Sequence, residues 1–89
     1  MTYSEFNRQS NNIIYMTGAK AYLRTQTRLY PKVKMSEIDT IFSKVTDAIV
    51  IINEDQRERR LKQLNSIGIQ VVNERHTGLN ELSLFIKTN

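Results

Sequence analysis

Apolar residues alternate with polar ones at Ala21 and Leu23 and again at Leu82, Leu84 and Ile86; they recur at helical spacing at Ile38, Ile41, Phe42 and Val45, and run unbroken from Ala48 to Ile52. Period two is the signature of a half-buried strand, period 3.6 of an amphipathic helix, and a short β-branched run of a strand covered on both faces. Ser36 to Val45 is therefore predicted helical, with Ser36 as its cap and Glu37 and Asp39 at the positive end of its dipole. A second helix is expected from Asn53 to a stop at Gly68, with only Leu61 and Leu64 as its apolar stripe. Ile13 to Met16, Ile69 to Val72 and Glu81 to Lys87 read as strands, the last two joined near His76, Thr77 and Gly78, and Thr17 with Gly18 is a natural turn. Thr2 and Glu5 have capping-box spacing and predict a short helix from Tyr3 to Ser10, anchored by Phe6.

Strand, helix and strand follow one another from Ala48 to Val72, which predicts a central βαβ unit of adjacent parallel strands, with an antiparallel partner after it. With 89 residues and neither repeat nor linker, residues 1–89 are expected to form one α+β domain, a mixed four- or five-stranded sheet with two main helices. A chain of this size buries about two-thirds of its unfolded surface, so the core is small and a homo-oligomer is a reasonable expectation.

The segment from Ala19 to Tyr30 changes this picture most. Lys20, Tyr22, Arg24, Gln26, Arg28 and Tyr30 occupy every second residue, which on a strand sets all six on one face and turns Ala21, Leu23, Thr25, Thr27 and Leu29 inward. On a helix, Lys20, Arg24, Arg28 and Lys32 still form one cationic stripe. Pro31 ends the element either way. From Lys20 to Lys34 there are five cations and no acid. Cations interleaved with tyrosines are the chemistry that holds phosphates and stacks on bases, so Lys20, Tyr22, Arg24, Arg28, Tyr30, Lys32 and Lys34 are the candidate nucleic-acid-binding residues. A charged, solvated edge strand is the competing reading.

Net charge is +4 with a pI near 9.6, and it is unevenly spread. Residues 1–34 carry six bases and one acid, 35–55 one base and five acids, 56–65 four bases and one acid, and the remainder two of each. Two basic blocks flanking an acidic one suit a polyanion on one side and a protein on the other. Arg59, Arg60 and Lys62 form a candidate secondary patch with Arg57, although Asp55–Arg59 and Glu58–Lys62 are spaced as ordinary helical ion pairs. Ten Ile and eight Asn suggest an A+T-rich genome such as many bacteriophages have.

Other chemistries find little support. There is no Cys, hence no disulfide or thiolate metal site, and no apolar run approaches a membrane span, so a cytoplasmic protein of a bacterium or phage-infected cell is expected. Glu37, Asp39, Glu54 and Asp55 lie at predicted helix starts, where carboxylates have structural work, and Asp47 stands alone; no metal is expected. Gly18, Gly68 and Gly78 are isolated, so no nucleotide cofactor is expected. His76 beside Arg75 is the strongest enzyme alternative, a toxin-like ribonuclease with histidine as general acid or base, arginine on the phosphorane charge and a tyrosine assisting. The leading expectation is non-enzymatic: a small basic accessory or regulatory protein that binds nucleic acid, RNA favoured, in the manner of a phage-type inhibitor of a ribonucleoprotein or nucleic-acid enzyme. The alternative is an inhibitor docking its basic face on an acidic protein without nucleic acid.

Overall fold

The computed structural model describes residues 12–87; the helix expected from Tyr3 to Ser10 lies outside them. The architecture is α+β. Six strands form one mixed sheet: β1 (Ile13–Thr17), β2 (Lys20–Arg24), β3 (Val33–Lys34), β4 (Asp47–Asn53), β5 (Gln70–Gly78) and β6 (Glu81–Lys87), in the spatial order β3-β2-β1-β4-β6-β5. Two helices, α1 (Ile38–Phe42) and α2 (Arg57–Ser66), each follow a 3-10 turn, Met35–Glu37 and Glu54–Gln56.

β1 and β2 form a hairpin because Gly18 takes a positive φ of 72° in a two-residue turn, and their inward residues Ile14, Met16, Ala21 and Leu23 are fully buried. The element expected to continue to Tyr30 instead ends at Arg24. Its next inward positions are Thr25 and Thr27, which have little to gain from burial. Thr25 closes a turn, its backbone N–H donating to the Arg28 carbonyl at 2.8 Å and its hydroxyl accepting from the Arg28 N–H at 3.1 Å. The chain then returns beside β2 to make β3, the sixth strand, which the expected four or five did not include.

α1 buries Ile38, Ile41 and Phe42 as the periodicity predicts, but it spans only Ile38–Phe42, so Val45, expected within the helix, is buried from the segment after it. Ser36 does not cap it: this residue lies inside the preceding 3-10 turn, and neither helical start has a side-chain cap hydrogen bond. β4 is the central strand, parallel to β1 and antiparallel to β6. Its Ala48, Val50 and Ile52 join the main core with Leu64 of α2 and Leu82, Leu84 and Ile86 of β6. Ile49 and Phe85, with half-buried Ile51, make a smaller cluster on the reverse face.

α2 ends as predicted. Gly68 adopts φ 80°, its N–H bonds to the Asn65 carbonyl at 3.1 Å, and the Ile69 N–H bonds to the Leu64 carbonyl at 2.9 Å, the paired bonds of a Schellman end. β4, α2 and β5 form the strand–helix–strand succession, but β4 and β5 are not neighbours, because β6 inserts antiparallel between them. The parallel neighbours are β1 and β4. The β5–β6 turn falls at Leu79 and Asn80, two residues beyond the expected place, with Asn80 at φ 56°. β5 is an edge strand, so its polar run from Asn73 to Thr77 extends the ladder with no buried face to fill, and bulges interrupt it at two places.

Candidate nucleic-acid interface

The outer face of β1, β2 and β3, away from both helices, carries Tyr15, Lys20, Tyr22, Arg24 and Lys34 by strand alternation. Tyr15 faces Tyr22 directly across the hairpin, and their rings stack with centroids 4.7 Å apart and planes 15° apart. From the other flank of β2, the Lys32 ammonium lies 5.6 Å from the Tyr22 ring centroid. Since β2 sits between β1 and β3, Tyr22 is held between a ring on one side and a cation on the other.

Lys20 and Lys34 are directly opposed across β2 and β3, and both are exposed. Cβ atoms in such pairs stand about 5 Å apart, where like charges destabilise the sheet. Among the described residues no carboxylate pairs with Lys20, Arg24, Arg28, Lys32 or Lys34; the ion pairs are Arg57–Glu74 and His76–Glu54, both far along the chain.

Arg28 and Tyr30 do not share this face. Arg24 bridges to Leu29 while Ala21 faces Val33, so three steps along β2 match four along the returning chain. The extra residue flips the phase, and Tyr30 packs half-buried against the main core, its N–H bonded to the Leu23 carbonyl at 2.9 Å. Arg28 and Lys44 gather over its ring, at 4.6 and 5.4 Å from the centroid. The cations therefore wrap the β3 edge of the sheet instead of lying in one plane.

The second basic cluster comes apart. Arg59 and Lys62 are exposed, but Arg60 is 0% exposed and presents no surface to a ligand. It points from α2 to the β1–β2 turn, donating to the Gly18 carbonyl at 2.8 Å and to the side-chain oxygens of Gln56 and Gln63 at 2.8 and 2.9 Å. Its Nε is buried without a partner, and burial, reinforced by the charge of Arg59, lowers its pKa. Arg57 bonds Glu74, with Nη2 to Oε1 at 3.0 Å. The Asp55–Arg59 and Glu58–Lys62 pairs do not close; these side chains line an open, mixed-charge cleft on the outer side of α2.

His76 lies within β5, not in a turn, opposite Leu82, with Nδ1 3.6 Å from Glu54 Oε2. Arg75 faces Ser83, so the two side chains leave the strand on opposite faces and do not converge on one phosphate.

Protein-family models, curated proteins and solved structures offer no match to this chain. Its own geometry must carry the functional reading. Tyr15 and Lys44 are the two members of the surface that sequence inspection overlooked. The turn falls at Gly18 and Ala19, one residue beyond the expected Thr17 and Gly18, and that shift is what sets Tyr15 opposite Tyr22 and not Lys20. Lys44 carries no signal in the sequence, because it reaches Tyr30 through the packing of α1. Among the described residues no group of three or more His, Asp or Glu is placed to hold a metal ion, and no helix is long and apolar enough to cross a membrane.

Proposed function

We propose that this chain is a non-enzymatic nucleic-acid-binding protein, with RNA as its favoured ligand, that grips the polymer through the outer face and edge of β1, β2 and β3. Lys20, Arg24, Lys32 and Lys34 contact phosphates, with Arg28 and Lys44 continuing the charge round the edge. A module this small acts as an accessory or regulatory subunit, holding or blocking a ribonucleoprotein. The observation that carries this reading is the Lys20–Lys34 opposition: a like-charge cross-strand pair with no carboxylate partner costs stability, and a bound polyanion removes that cost.

The test is RNA binding by fluorescence anisotropy across a salt series, comparing wild type with Lys20→Glu/Lys34→Glu. Each lost phosphate contact lowers the salt slope by about 0.7 on a single strand or about 0.9 on duplex DNA. The variant is expected to bind much more weakly, with a slope shallower by about 1.4 on single strands. Equal affinity and slope in a variant that circular dichroism finds folded would sink the interface. Wild-type protein that ignores RNA yet forms a salt-sensitive complex with an acidic protein would transfer the surface to protein docking.

A further inference from the structure

Resting on that reading, we infer that the ligand is single-stranded and lies along β2, with one unpaired base taking the place of the Lys32 ammonium on the Tyr22 ring. Three features converge on it. The cations are graded along the strand: Lys20 and Lys34 at one level, Lys32 beside Tyr22 at the next, Arg24 at the third. Lys20 and Arg24 are four residues apart, about 13 Å at the rise of a strand, so the row follows an extended backbone.

The sheet itself selects against a duplex. A two-stranded ribbon can enter a DNA major groove about 12 Å wide, and that of an RNA duplex is narrower, but here β2 is hydrogen-bonded on both sides, to β1 and to β3, within a six-stranded sheet too broad to enter either. Bases within a duplex are paired and stacked on each other, so only an unpaired base can lie on a protein ring.

The Tyr22 ring offers a single site. Tyr15 holds the face towards β1 at 4.7 Å, which keeps the ring upright; on the side towards β3 the Lys32 ammonium lies over the ring, at 5.6 Å. A lysine head on a flexible stem is readily displaced, and once displaced it is a free cation at the level of the adjoining phosphate. Lys32 thus protects the ring in the unbound protein and pairs with the backbone in the complex. Tyr15 is a positioning residue for Tyr22.

The experiment compares a 12-nucleotide single-stranded RNA with a blunt RNA duplex of the same length. The single strand is expected to bind at least about 10-fold more tightly. Tyr22→Leu should weaken it by about 5- to 150-fold, the range for loss of one stacked base, while leaving the salt slope unchanged; Tyr22→Phe should restore it. Lys32→Met should lower the slope by about 0.7, although in the free protein this ammonium lies over the ring. Duplex bound as tightly as single strand, or Tyr22→Leu bound as tightly as wild type, overturns the inference and leaves the basic interface standing. No binding of either RNA overturns both.

Discussion

The sheet ends in two basic regions that sequence composition makes look alike and structure makes opposite. At the β1–β2–β3 end, Lys20 and Lys34 face each other with no carboxylate paired to either, and tyrosines, not acids, stand beside Arg28, Lys32 and Lys44. At the α2–β5 end, Arg57 is bonded to Glu74, His76 stands 3.6 Å from Glu54, and Arg60 is buried among neutral oxygens. Cations that satisfy the fold are poor candidates for a ligand, since binding must first break what they already make. Cations that strain the fold are good ones. The count of basic residues does not separate the two classes; the surroundings do, since even Arg59 and Lys62, which close no ion pair, share their cleft with Glu54, Asp55 and Glu58.

The sharpest way to break this comparison is Arg60. Removing it by Arg60→Ala leaves the Gly18 carbonyl and two glutamine oxygens without their donor and opens a cavity under α2, at an expected cost of about 2–4 kcal/mol in urea unfolding. Arg60→Met should cost less, because it refills the space and removes a buried charge whose Nε is already unpaired. RNA affinity extrapolated to folded protein should be unchanged in both. If Arg60→Ala instead left stability intact and weakened RNA binding, Arg60 would belong to the gripping surface and the division would fail.

The opposite sign is expected at the other end. Lys34→Glu converts a like-charge cross-strand pair into an attractive one, so stability should rise by about 0.5 kcal/mol at low salt, and the gain should fade as salt is added. The same substitution should weaken RNA binding. Such a trade, stability gained where binding is lost, is what a functional surface predicts and what a merely solvated edge does not. A variant that gained no stability would mean Lys20 and Lys34 diverge enough to escape each other.

How much of this was legible beforehand depends on where each residue's environment comes from. Ile38, Ile41 and Phe42, and Leu82, Leu84 and Ile86, declare themselves because one buried face dictates their spacing, and the run from Ala48 to Ile52 does so because apolar clusters lie on both of its faces. Gly68 does so because only a residue tolerant of φ 80° ends α2 in that way. The phase of Tyr30 was not legible, since the one-residue slip against β2 is set by how the returning chain pairs with that strand and not by any local spacing. Nor was the burial of Arg60: a stripe of only Leu61 and Leu64 left room beneath the helix, and the turn at Gly18 filled it from 42 residues away. The insertion of β6 between β4 and β5 is likewise a choice among pairings that no local pattern distinguishes.

The smallest expected effect sharpens the comparison from its paired side. Arg57 and Glu74 are 44% and 38% exposed, so water screens their attraction, and a double-mutant cycle with Arg57→Ala and Glu74→Gln should give a coupling of no more than about 0.5 kcal/mol, falling with salt. Glu74→Gln also releases Arg57, beside the exposed Arg59 and Lys62, without adding a single cation. If pairing with Glu74 were all that kept this cluster from nucleic acid, the salt slope for RNA would steepen by about 0.7 in the variant. It should not change, because Glu54, Asp55 and Glu58 line the same cleft as Arg57, Arg59 and Lys62 and repel the phosphates that those cations attract. A steeper slope would identify this cluster as a second grip held in reserve by one carboxylate, and the contrast between the two ends would then be one of regulation instead of kind.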